Sequence, residues 1–202
     1  MPEAPRRFAG DRLSLDEYLA DYHARFWRTG PSGCWKLERR QTFREPGNAS
    51  WAASARGDWD HAIELLHQAR DNVREYQRKI LDHGFEFRRL RIVEKPYSPY
   101  LIWELNSILI RHEYGERIRV LPAAELSALE SGGVLPEILV LGREVVYEVL
   151  YDDSGTATGA VRATRPDTVR SWAEFVRGLF GRGENLAEFF AREIAGLRPA
   201  HA

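Results

Sequence analysis

The chain has 202 residues, 44% of them hydrophobic and 29% charged, with a formal net charge of -1. That length and composition suit one globular domain, or one domain with a helical extension, and exclude a disordered chain. The near-zero charge weighs against direct nucleic-acid binding, which rests on a basic excess.

Ser14-Leu15-Asp16-Glu17 is a capping box, and Leu15, Tyr18, Leu19, Tyr22 and Phe26 follow at helical spacing. This predicts a helix from about Ser14 to Phe26, ended by Gly30-Pro31-Ser32-Gly33. Trp35 and Leu37 alternate within 34–43, so a short strand or extended piece is expected there, before a turn-rich stretch from Arg44 to Ser50. Asp58 or Asp60 then caps a long helix. Trp59, Ile63, Leu66, Val73, Tyr76 and Ile80 share one of its faces, and Gly84 is its stop. Residues 1–83 therefore read as a mainly helical N-terminal subdomain.

Beyond that glycine the hydrophobic period changes, and residues 84–202 read as a mixed-sheet α/β domain. Phe85 to Val93 predicts an arginine-rich strand. Ser98 and Pro99 open a helix that is apolar nearly all round, which implies cover on both sides, by a sheet and by the N-terminal helices. Gly115 ends it, and Arg117 to Leu121 forms a strand; strand, helix, strand implies a parallel crossover. A short helix from about Ala123 to Glu130 precedes three strands, Glu137 to Leu141, Glu144 to Tyr151 and Thr158 to Ala163. Hairpin turns join them, so they pair antiparallel. Two amphipathic helices follow, one opening at Thr164 and Pro166, the last carrying Leu186, Phe189, Phe190 and Ile194. The expected fold class is α/β in the mixed α+β sense. It has a mixed sheet of about five strands, with one parallel crossover and an antiparallel meander, flanked by helices.

Lysine stands only at Lys36, Lys79 and Lys95, so arginine is the default cation, through codon bias or through a use for planar guanidinium forks. Cys34 is the lone cysteine, which excludes an intrachain disulfide and a thiolate metal cluster and suits a reducing compartment. The N-terminal residues lack the apolar core of a signal peptide and no apolar run reaches bilayer length. A cytoplasmic protein without a membrane segment is expected.

No nucleophile elbow, phosphate-cradling loop or paired-cysteine motif is present, so no catalytic residue, metal ligand or cofactor is assigned. His112-Glu113-Tyr114-Gly115-Glu116 comes nearest to a zinc helix, but Gly115 breaks the turn that two ligands would share. His112 reads instead as a core or edge histidine bonded to backbone. Glu104 flanks an apolar helical face, with Ser107 and Arg111 on the same strip. A carboxylate there must be paired, hydrogen-bonded or neutral, and the nearby strand offers Arg88, Arg89 and Arg91. It belongs either to a structural ion pair or to a polar ligand pocket at the end of the crossover. Between Trp35 and Trp59, arginines interleave with aromatics around a Pro46-Gly47 turn. That segment is either the seam between two subdomains or a binding surface. The candidate ligand- or partner-binding residues are Arg44, Glu45, Asn48, Trp51, Arg91, Glu104 and His112.

The stretch FWRTGPSGCWKLERRQTFREPGNASWAASARGDWDHAIELL, with EFRRLRIVEKPYSPYLIWEL and the LPEILVLG-REVVYEVLYDDSG hairpin, resembles an uncharacterised actinobacterial family. The family is a domain of unknown function whose members are often associated with helix-turn-helix regulators. The likeness runs from about Phe26 to Leu197. A remoter similarity joins the element order to degenerate phospholipase D-like ligand-sensing domains. Active members of that superfamily use a His-x-Lys motif, and no histidine here is followed two positions on by lysine. The resemblance implies a non-catalytic regulatory or ligand-sensing protein acting through a protein partner, a transcription regulator, with a small anionic ligand as a further possibility. The alternative is an enzyme of hydrolase or phosphoryl-transfer type on a degenerate phospholipase D-like fold.

Overall fold

A computed structural model describes Pro5 and residues 7–199. The outer ends of the two expected units, residues 1–4, 6 and 200–202, lie outside the described residues. Strand β1 (Asp11–Ser14) leads directly into helix α1 (Leu15–Phe26), where the Ser14 side chain and Glu17 close the capping box. Strand β2 (Cys34–Glu38) follows, then three helices, α2 (Ala49–Ala55), α3 (Trp59–Gln68) and α4 (Arg70–Asp82). Strand β3 (Phe87–Val93), helix α5 (Pro99–Glu113) and strand β4 (Arg117–Pro122) come next, and a 3-10 turn covers Ala123–Leu126. The meander is β5 (Glu137–Leu141), β6 (Val145–Tyr151) and β7 (Ala157–Ala163). Helix α6 (Pro166–Arg182), the two-residue strand β8 (Glu184–Asn185) and helix α7 (Leu186–Glu193) complete the described elements.

The sheet has eight strands rather than about five, in the order β1-β7-β6-β5-β2-β3-β4-β8. The strands beyond the five are β1, β8 and β2, the last expected only as a short strand or extended piece. β1 is four residues long and pairs with β7 where Gly159 sits at φ +148; a Cβ there would stand 2.1 Å from the Leu13 carbonyl oxygen. β8 pairs at only two positions of β4. β2 lies in the 34–43 stretch expected as a short strand or extended piece, and its Lys36 and Glu38 sit on a covered face where apolar residues are expected. It is nonetheless central, parallel to β3 and antiparallel to β5. Since β3 and β4 are also parallel, the sheet holds two parallel pairs, not one. Asp11–Ser14 and Cys34–Glu38, both before residue 84, are thus strands of the same sheet as the later ones.

The long helix expected between Asp58 and Gly84 divides at Ala69, and the turn-rich stretch continues into α2, capped by Asn48. The short helix expected to Glu130 ends as a 3-10 turn at Leu126.

Alternation separates the two faces of the central strands. On one, Trp35, Leu37, Leu90 and Ile92 pack with Ile138 and Val140 against Trp172, Phe175, Val176 and Leu179 of α6. On the other, three apolar clusters form. Tyr18, Phe26 and Ile80 cover the Leu139–Tyr147 side. Leu101, Leu105 and Ile108 of α5 cover Ile118 and Val120, while Phe43, Ala53, Tyr100 and Trp103 join α2 to α5. Helix α5 is therefore buried on both sides, as its all-round apolar sequence requires. No helix among the described residues is long and apolar enough to cross a membrane.

Candidate functional site: a charged chamber between the sheet and helix α5

Between those three clusters the second face of the sheet is charged. Parallel register sets Lys36 beside Arg89 and Glu38 beside Arg91. Helix α5 crosses above with Glu104, and Glu116 and Gln77 close the far side. These side chains form a continuous network. Arg89 donates from Nε to Glu116 Oε1 at 2.7 Å and from Nη1 to Glu38 Oε2 at 2.8 Å. Lys36 Nζ lies 2.5 Å from Glu38 Oε1, and Gln77 Nε2 donates to Glu116 Oε2 at 3.4 Å. Arg91, with no exposed surface, brings Nε and Nη2 each within 2.7 Å of Glu104 Oε2. Its Nη1 donates to the Ile92 carbonyl at 3.0 Å.

Above this floor lies a cavity of about 410 Å³. Tyr22, Phe43, Tyr76, Phe87, Tyr100, Trp103 and Tyr151 supply its aromatic walls. Arg44, Glu45, Asn48, Ser107 and Arg111 supply polar groups beside the network. The loop that carries Arg44 and Glu45 is held at several points. Gln41 donates from Nε2 to the Ile92 carbonyl at 3.0 Å, and Arg44 N–H donates to Gly155 O at 2.9 Å. Gly155 lies at φ +82, and a Cβ there would stand 3.2 Å from Thr42 O, so this close approach favours glycine. Tyr100 donates its hydroxyl to Glu45 at 2.8 Å, and Trp103 Nε1 donates to Ser50 Oγ at 2.9 Å.

The carboxyl groups differ sharply in acidity. Burial raises Glu38, but Arg89, Lys36 and Arg91 more than offset it and hold this carboxyl well below the usual range. Burial raises Glu104, and Arg91 does not fully compensate. Just beyond the cavity, burial pushes Glu137 up to about 7 although the Arg39 and Arg40 N–H groups both donate to its Oε1. Glu137 Oε2 is buried without a partner among the described residues. Well-packed apolar residues often stabilise a core as well as or better than such a concentration of buried charge.

The structure brings Arg44, Glu45, Asn48 and Glu104 to the cavity lining and sets Arg91 beneath its floor as the partner of Glu104. Trp51 stands apart from that lining. It is half-buried against Tyr100 and Trp103, ring centroids 5.1 and 5.2 Å away, and borders an outer groove behind the Pro46-Gly47 turn. His112 is also elsewhere. Its Nδ1 lies 3.0 Å from Glu116 O and 3.3 Å from the Ile118 N–H, tying the end of α5 to β4. Lys36, Glu38, Arg89, Gln77 and Glu116 belong to the site but were not among the sequence candidates. The signal for some of them was present: charges at 36, 38, 89 and 91 alternate with Trp35, Leu37, Leu90 and Ile92, the pattern of strands with one polar face.

Among the described residues no group of three or more His, Cys, Asp or Glu side chains is arranged to hold a metal ion. Cys34 is fully buried, and burial raises its thiol far above the ordinary value, which leaves it unreactive. No curated protein and no solved structure matches the chain. Residues 21–191 match the family described as Domain of unknown function (DUF6879), and the chain belongs to that family.

Proposed function

We propose that this protein is a non-catalytic ligand-sensing module whose chamber takes a small polar molecule and whose occupancy is reported to a protein partner. The observation that carries this reading is a cavity of about 410 Å³ with aromatic walls and a floor of fixed, buried charges. That size and mixture of wall and polar groups suit a small-molecule site. The walls come from α1, α4, α5, the 39–48 loop, β3 and β6, so a ligand touching all of them would change their relative free energies. The partner in this reading is a transcription regulator of the helix-turn-helix kind, in keeping with the family resemblance, and the setting is the cytoplasm.

The test is a thermal-shift screen of a metabolite library on the full chain and on Ser107→Trp, in which an indole occupies the chamber. Compounds that raise the midpoint of the first and not of the second support the reading. A library that shifts neither, or shifts both equally, overturns it.

One observation favours a second reading, an enzyme of hydrolase or phosphoryl-transfer type. Two carboxyl groups face one cavity with acidities driven in opposite directions, an arrangement that acid–base pairs use. Turnover of a diester or ester by the purified chain, abolished in Glu38→Gln while the fold persists, would replace the first reading with this one.

A further inference from the structure

The chamber's chemistry becomes clearer once its internal pairs are set aside. Lys36, Glu38, Arg89 and Glu116 neutralise one another, and both oxygens of Glu38 and of Glu116 are engaged. Four groups remain uncommitted, three of them on α5. Glu104 is 4% exposed and gives one oxygen, Oε2, to Arg91; its Oε1 has no hydrogen-bond partner among the described residues. Arg111 lines the same cavity, and no hydrogen bond or ion pair of its guanidinium is found among the described residues. The Ser107 hydroxyl lies between them. These residues occur at i, i+3 and i+7 on one face of α5. A rise of about 1.5 Å per residue separates the first and last by roughly 10 Å. Arg44 reaches the cavity from the facing loop, likewise without a side-chain hydrogen bond or ion pair among the described residues.

Resting on the reading of this chamber as a ligand site, we infer that its ligand is amphoteric. An oxyanion, carboxylate or phosphate, meets Arg111 with help from Arg44. An amino group about two helical turns away donates to the free oxygen of Glu104. The body between them is flat or apolar and lies along the aromatic walls, with Ser107 available to a polar substituent. A carboxylate oxygen that faces the cavity without a donor from the chain is open to a ligand donor, and an ammonium group gives it the strongest, charge-assisted hydrogen bond. A planar guanidinium with no internal carboxylate is correspondingly suited to a bidentate oxyanion. A purely cationic ligand would leave Arg111 unanswered, and a purely anionic one would face the Glu104 oxygen.

The experiment is calorimetric titration of the full chain with unbranched amino carboxylates, from aminobutanoate to aminodecanoate, and with the matching aminoalkyl phosphates. Controls are the alkanoate lacking the amine and the alkylamine lacking the anion. Affinity is expected to peak at an intermediate length, and loss of either end group should weaken binding by about tenfold or more. The preferred oxyanion follows from which series binds more tightly. In Arg111→Gln the amino carboxylate should bind no better than the alkylamine, with an unchanged thermal midpoint. Glu104→Gln should abolish the preference for the amine, but it leaves Arg91 buried without its counter-ion. Arg111→Gln and the ligand controls therefore carry the test if that variant does not fold. If the one-ended controls bind as tightly as their parents, or Arg111→Gln binds the parent normally, the inference is wrong. If the library screen yields ligands for the chamber while both series fail, the amphoteric assignment falls and the sensing reading stands. If neither yields binding, both fall.

Discussion

The two faces of β2 and β3 are built from alternating residues of the same segments, yet they do opposite things. Beneath α6, Trp35, Leu37, Leu90 and Ile92 meet Trp172, Val176 and Leu179 in a dry layer, whose burial follows the ordinary hydrophobic gain. Beneath α5, Lys36, Glu38, Arg89 and Arg91 form a network with Glu104 and Glu116. Buried charges are paired there because leaving any one alone would be far more costly than pairing it. The apolar face can hold the fold while the charged face holds a shape and a charge pattern. At β2 and β3 the dry layer and the candidate site thus occupy opposite sides of one sheet.

The largest effect should come from the apolar side. Trp172→Ala removes a side chain with 1% exposure and is expected to cost about 3–5 kcal/mol in a denaturant melt. A small loss would mean that α6 is not the principal cover of the sheet. On the charged side, Glu104→Ala should cost about 3 kcal/mol, because Arg91 is left buried without its partner. Replacing both together, Arg91→Met with Glu104→Leu, should recover most of that loss and remove ligand binding. If the double variant is as unstable as the single one, the pair stabilises the fold and the contrast between the faces is weaker than drawn.

Acidity sharpens the contrast further. Glu137 holds its proton more tightly in the folded chain than the ordinary carboxyl value of 4.5 implies, its own value pushed up to about 7. Between those limits the folded state binds more protons than the unfolded one, so stability should fall as pH rises through that window. The swing should be about 3 kcal/mol, and Glu137→Gln should flatten it. Glu38 acts in the opposite sense. Its acidity is strengthened by Arg89, Lys36 and Arg91 against burial, so its contribution is present above the ordinary value and lost in acid. A stability profile unchanged by Glu137→Gln would remove this group from the account.

The smallest effects separate seam from surface. Trp51→Ala should cost about 1–2 kcal/mol, since its ring packs edge-on to Tyr100 and beside Trp103. Arg44→Ala, at an exposed position, should stay within about 0.5 kcal/mol and act on binding alone. Equal losses for the two would place the whole 44–51 segment in the scaffold.

The sequence by itself determined the elements whose causes are local. The Ser14–Glu17 capping box, Pro99 at the first turn of α5, the stop at Gly84 and the hairpin turns act within a few residues, and the helices and meander strands begin close to where they predict. It also showed that Glu104 needs an answer and placed Ser107 and Arg111 on its strip. Tertiary structure alone decided the rest. The short strand or extended piece expected within 34–43 becomes a central strand only because β3 and β5 flank it, and Ala69 divides a continuous helical pattern without a breaker. The network that makes the chamber joins Arg89 to Glu38 across 51 positions and to Glu116 across 27. A charge is legible in a sequence, but its partner is chosen by chain folding. The energy of a buried ion therefore depends on a neighbour that no local pattern names.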